Sequence, residues 1–172
     1  YLYAWTQGMR GPLPTLPGRD YHAPEVFEQE REKVFFREWF YAGRAADAPD
    51  PGDFLTVDVV GESVLVVRGK DGELRGFYNV CRHRGSRLCD PESRGHAKGA
   101  IKCPYHAWTY AYDGSLVGTP MVGKDEIDRS RLGLWPVAVD VWQGFVFVHL
   151  GQPSQSVRED FEHQNDRPLQ YE

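Results

Sequence analysis

Two short segments, Cys81-Arg82-His83 and Cys103-Pro104-Tyr105-His106, constrain this chain more than anything else in it. Each offers one sulfur and one imidazole from a single tight loop, and nineteen residues separate His83 from Cys103. Two cysteines and two histidines gathered at one place suit either a zinc ion or a [2Fe–2S] cluster in which two histidines replace two cysteines on one iron. Zinc modules usually draw like ligands from one loop, a C-x2–4-C followed by an H-x3–5-H, and C-x-H is too short for that pattern. The mixed loops therefore favour the iron–sulfur cluster. Cys81, His83, Cys103 and His106 are its candidate cofactor-binding and metal-ligating residues.

The segments around these loops read as strands. Trp39–Gly43, Phe54–Val59, Ser63–Arg68 and Leu74–Asn79 are short, rich in β-branched and aromatic residues, and separated by turn signals. Further strands are expected at Ala100–Lys102, Thr109–Tyr112, Leu116–Gly118, Leu134–Val141 and Phe145–His149. Hairpin turns are expected at Gly69–Gly72, Asp113-Gly114 and Gln143-Gly144. Seven to nine such strands predict a mainly β domain, an antiparallel sandwich or barrel. One helix should precede it from Pro24, a good first-turn residue, to about Phe36. Residues 1–19 carry Gly11-Pro12, Pro14 and Pro17-Gly18 and read as an extended arm. After Leu150 the apolar pattern thins to Val157, Phe161, Leu169 and Tyr171.

Phe77-Tyr78-Asn79-Val80-Cys81-Arg82-His83-Arg84-Gly85 and Cys103-Pro104-Tyr105-His106-Ala107-Trp108 resemble the cluster loops of Rieske non-haem iron oxygenases, in their α-subunit type. The resemblance runs from about Leu16 to Leu150 and includes Trp39-Phe40-Tyr41 and Pro51-Gly52-Asp53. It implies a Rieske [2Fe–2S] domain over 41–150, an arm and helix over 1–40, and a linker or the truncated start of a catalytic domain over 151–172. It also implies that Cys81 and Cys103 bind an inner iron and His83 and His106 an outer one. Electrons would arrive from a reductase or ferredoxin and leave for a mononuclear iron in a catalytic domain that this chain lacks. There O2 would be used for hydroxylation or demethylation, of choline- or betaine-like substrates or of aromatic ones. Neighbouring α subunits, as a trimer in the full-length protein, are the implied assembly. A free-standing Rieske ferredoxin is the alternative, against which stand the first 40 residues and the tail.

The departures are informative. Oxygenases of this type hold their catalytic iron with two histidines and one carboxylate. The spare histidines here, His22, His96, His149 and His163, show no such spacing, so no catalytic residue is assigned. Glu162-His163 with Asp166 is the one superficial match, in an unpatterned tail, and all four histidines read as ordinary surface or strand-end residues. Respiratory Rieske proteins add a cysteine to each loop and bridge them; Ser86 and Tyr105 stand at those positions here. They also place a serine where this chain has Trp108, and fewer donors to sulfur predict a potential near the low end of the Rieske range, about −150 mV. Trp108 would shield the cluster or simply fill the core, and Cys89 should be a buried apolar residue.

Composition bounds the rest. With 41% hydrophobic residues, 172 residues can bury a core, and a net charge of −5 argues against nucleic-acid binding. Three cysteines are too few for a secreted disulfide framework, and neither a membrane-length apolar run nor a signal peptide is visible. A cytoplasmic protein is expected, and Tyr1 in place of Met suggests a chain cut from something longer. The 81–102 segment nonetheless carries +4. It would guide an acidic electron donor or contact a neighbouring subunit, Arg82 and Arg84 being best placed, or it is a solvated basic loop.

Overall fold

The computed structural model describes residues 15–123 and 126–165. Most of the arm expected over residues 1–19 therefore lies outside the described residues, as do Asp166, Leu169, Tyr171 and the side chain of His163. Among the described residues, ten strands form two antiparallel sheets, in agreement with the predicted class. The larger contains β1 (Phe40–Arg44), β2 (Asp53–Val59), β3 (Glu62–Arg68), β4 (Leu74–Tyr78), β5 (Arg94–His96), β9 (Pro136–Trp142) and β10 (Phe145–His149), in the order β1-β10-β9-β4-β3-β2-β5. The smaller is β6 (Ile101–Lys102), β7 (Thr109–Tyr110) and β8 (Leu116–Gly118).

The run Val64-Leu65-Val66-Val67 shows why the chain folds this way. Side chains along a strand alternate between faces, so an unbroken apolar run needs a covering on both sides. All four residues are fully buried. Val64 and Val66 join Leu55, Val59, Val137, Val146 and Val148 in one core. Leu65 and Val67 join Phe77, Ile101, Tyr110, Leu116 and Leu134 in another, which also contains Cys81 and Cys103. Strand β3 is thus a wall shared by two cores, and the ligand loops grow out of the second.

The expected hairpins form. Gln143 and Gly144 both have positive φ, 50° and 80°, the signature of a tight turn whose twist matches its strands. Val60 and Gly61 make a similar turn between β2 and β3, with Asp58 Oδ1 accepting from the Gly61 N–H at 2.8 Å.

Three elements differ from expectation. The single helix predicted over 24–36 is an α-helix, α1 (Pro24–Glu30), followed by one wide π turn over Arg31–Phe35. Its closing bond runs from the Phe36 N–H to the Arg31 carbonyl at 2.9 Å, and the ring of Phe35 stacks on Phe40 at 5.2 Å. Strand β5, not foreseen, has no apolar pattern because it pairs only at the sheet edge, through Asp53↔His96 and Leu55↔Arg94. Side chains hold it there. His96 Nδ1 lies 2.8 Å from Asp53 Oδ1, and Arg94 reaches Asp47 at 3.0 Å. The third is α2 (Val157–Asn165), in a stretch expected to be unpatterned. Ser156 and Glu159 form a capping box, the Ser156 N–H donating to Glu159 at 2.7 Å, and Asp140 of β9 accepts from the Val157 N–H at 2.9 Å. Val157 is buried, and Phe161 stacks on Trp142 with centroids 4.7 Å apart. No helix among the described residues is long and apolar enough to cross a membrane.

Candidate iron–sulfur centre

The two ligand loops share one backbone design. In the first, the Cys81 N–H donates to the Ser86 carbonyl at 2.8 Å, and the Gly85 N–H returns to the Cys81 carbonyl at 3.0 Å. In the second, the Cys103 N–H donates to the Trp108 carbonyl at 2.8 Å, and the Ala107 N–H returns to the Cys103 carbonyl at 3.1 Å. Each loop closes through a left-handed residue four positions after its cysteine, Gly85 with φ 67° and Ala107 with φ 57°. Glycine takes this conformation without strain; the second loop meets the same demand with an alanine. A left-handed alanine is strained. Ala107→Gly should accordingly raise the thermal midpoint, by about 0.5–1 kcal/mol in stability, with the cluster retained.

Asn79, buried at the end of β4, pins the first loop as it returns. Its Nδ2 donates to the Cys89 carbonyl at 2.9 Å, and its Oδ1 accepts from the Leu88 and Cys89 N–H groups. The second loop hangs between β6 and β7.

These loops put like groups together in pairs. Cys81 and Cys103 both lie in the second core, each 3% exposed. The rings of His83 and His106 meet at the surface, centroids 4.8 Å apart. Trp108, itself buried, stacks on His83 at 4.7 Å with planes 10° apart, so it both fills the core and covers one face of the site. Tyr105 lies against His106 with ring centroids 3.7 Å apart and is 60% exposed. Among the described residues, no three His, Cys, Asp or Glu side chains converge on a single point as one mononuclear ion would require.

The chemistry of this donor set fits a binuclear cluster. Burial pushes the Cys81 thiol above its ordinary value; the Tyr110 hydroxyl and the His83 backbone N–H pull it down, and neighbouring Cys103 pushes it up again. A buried thiol in that position ionises readily only with a cation beside it. His83 is shifted down by desolvation, with His106 and Arg84 adding to the effect, which favours the neutral imidazole that ligates metal. Nδ1 of His106 is buried with no hydrogen-bond partner among the described residues, as suits an atom reserved for iron.

Sequence reasoning missed Tyr110. Its hydroxyl accepts from the Arg82 N–H at 3.0 Å, which leaves its own proton free for Cys81 Sγ at 3.2 Å. A buried tyrosine hydroxyl needs a partner, but which one depends on how β7 packs on the first loop. The hydrogen bond stabilises negative charge on sulfur, so Tyr110→Phe should lower the reduction potential. An ordinary hydrogen bond of about 0.5–1.5 kcal/mol corresponds to roughly 20–60 mV for one electron, readable by redox titration.

The remaining sequence candidates lie elsewhere. His22 is exposed, and His96 is paired with Asp53. His149 is buried at the end of β10, where Nδ1 accepts from the Gly151 N–H at 3.0 Å. Cys89 is half-buried against the second core, and burial pushes its thiol up to about 11.

Comparison with known proteins agrees with this geometry. A family model described as the Rieske [2Fe–2S] domain matches residues 38–140. The carnitine monooxygenase oxygenase subunit of Acinetobacter pittii is 37% identical over 146 residues, covering 84% of this chain and 39% of the relative. The glycine betaine monooxygenase oxygenase subunit of Pseudomonas aeruginosa is 41% identical over 149 residues, covering 86% and 34%. Among solved structures, a quaternary ammonium Rieske monooxygenase in complex with L-carnitine superposes with a TM-score of 0.79 at 36% identity, covering 88% of this chain and 44% of that one. The chain thus spans about two-fifths of the length of the curated relatives it matches. The match takes in both ligand loops and the strands that carry them, and this chain belongs to the Rieske [2Fe–2S] domain family.

Proposed function

We propose that Cys81 and Cys103 ligate the inner iron of the [2Fe–2S] cluster, and His83 and His106 the outer one. The observation that carries this is the pairing: two loops of one hydrogen-bond design present two thiols in the core and two imidazoles at the surface. When bound, the cluster supplies a one-electron couple. The chain's own residues set its surroundings. Tyr110 donates to a ligand sulfur, Trp108 and the second core exclude water, and the exposed histidine edge gives electrons a short route across the surface.

The whole protein of which this chain is part is, in this reading, a Rieske oxygenase subunit. It takes electrons from a reductase or ferredoxin and delivers them to a mononuclear iron held outside this chain, in an assembly of α subunits such as a trimer. Its substrate class is the small quaternary ammonium compounds, as the names of its relatives suggest. Residues 41–150 form the electron-transfer domain of that subunit.

Purified with iron and sulfide, the chain should be red-brown, hold two irons and two sulfides, and take up one electron from dithionite. Stoichiometric zinc without sulfide would overturn the ligand assignment. For the substrate class, the full-length subunit with its reductase should consume O2 in the presence of carnitine or glycine betaine; turnover of an aromatic acid instead would refute it.

A further inference from the structure

Arg82 lies between Cys81 and His83 in the sequence, and its side chain is held by contacts outside that loop. Its Nη1 donates to the Gly133 carbonyl at 2.6 Å, and its Cζ lies 4.0 Å from the centre of the Trp135 ring. Between these two contacts sits Leu134, which is buried in the core that holds Cys81 and Cys103, its N–H donating to the Gly114 carbonyl at 2.8 Å. The Arg82 backbone N–H meanwhile donates to Tyr110, the residue that touches Cys81 Sγ. One residue therefore ties the first ligand loop to β7 and to the segment leading into β9.

The charge on this residue is also uncompensated. No carboxylate pairs with Arg82 among the described residues, a condition it shares with Arg84 and Arg87 of the same segment. Its partners are a neutral carbonyl and an aromatic face. A guanidinium stays protonated at every pH at which the protein is folded. A fixed positive charge carried on the ligand loop itself favours the redox state that holds one more electron.

We infer that Arg82 is a positioning residue for the cluster, latching the first ligand loop to Gly133 and Trp135 while its permanent charge raises the reduction potential. The inference rests on the ligand assignment proposed above. A latch without an electrostatic role would be served by any side chain that holds the loop. The unpaired charge adds a consequence that packing alone does not have.

Arg82→Gln and Arg82→Lys, titrated beside the parent protein with iron, sulfide and the electron paramagnetic resonance spectrum monitored, separate the possibilities. Arg82→Gln should lower the equilibrium constant for reduction about tenfold, a fall of about 59 mV for a single electron. Arg82→Lys, which keeps the charge, should recover most of that shift. An Arg82→Gln protein with full cluster content and the parent potential would overturn the inference and leave the ligand assignment standing. Absence of a cluster from the parent protein would instead defeat the ligand assignment itself. If Arg82→Gln does not take up iron, Trp135→Leu carries the test. It should surrender iron to a chelator several-fold faster than the parent, and unchanged release would refute the latch.

Discussion

Cys81→Ser and Cys103→Ser should each give a colourless protein that takes up no stable iron and melts well below the parent. Both sulfurs lie in the second core, against residues from β3, β4, β6, β7 and β8, so the ligands and the packing are one structure. Metal binding of this kind is coupled to folding, and loss of a structural centre belongs to the few single changes that cost about 4 kcal/mol or more. In Cys81→Ser the Tyr110 hydroxyl also loses its sulfur partner. Cys89→Ser is the control. That thiol packs at the margin of the same core, and its replacement should leave absorbance and iron content unchanged. Visible spectra, iron analysis and thermal melts decide the matter; native absorbance in either ligand variant would show that the wrong cysteine had been chosen.

Gly52→Ala should be nearly as disruptive, through the backbone alone. Gly52 has φ +95°, a region that side chains rarely adopt, and it stands where the chain enters β2. Its N–H donates to the Arg68 carbonyl at 2.9 Å, and its carbonyl accepts from the Ala97 N–H at 2.8 Å. A methyl group there would strike the Tyr112 hydroxyl and lie 2.8 Å from the Ala97 carbonyl oxygen. The hydroxyl of Tyr112 itself donates to that carbonyl, so neither neighbour can yield without breaking the tie between β5 and the second core. Backbone strain of about 1–2 kcal/mol and overpacking of about 1–3 kcal/mol act together, for a loss of roughly 3 kcal/mol. Chemical denaturation measures it, and a loss below 1 kcal/mol would mean that the loop rearranges freely.

Much of this was readable in the residues because the same residues carry the local and the global signal. The apolar run of β3, the Gln143-Gly144 turn and the spacing of the two cysteine–histidine loops each state their own geometry. Strand β5 could not be read, because Arg94, Gly95 and His96 are exposed and their pairing is fixed by Asp47, Asp53 and the ring of Phe54 across the sheet edge. Helix α2 was hidden differently. Its Ser156–Glu159 capping box is legible, but among its described side chains only Val157 and Phe161 anchor it, too few to make an apolar stripe. Around the proposed cluster, the four proposed ligands declare themselves by residue type. Asn79, Tyr110 and the carbonyl of Trp108 do not, since ordinary strand residues become cluster neighbours only once β4, β6 and β7 are packed.

The shared wall of β3 has a consequence for how the protein matures. Only one of the two cores that it divides contains the cysteines. The other closes on Val64, Val66, Val137, Val146 and Val148, none of which depends on a metal. Domains open and close in cooperative units, and here the units differ in what they require. A newly made chain can therefore protect the amides of β3, β9 and β10 from solvent exchange first, while the short strands β6 to β8 stay open to incoming iron and sulfide. Delivery of the cofactor would then be the last step of folding, and the half-built molecule would already have the shape needed to receive it.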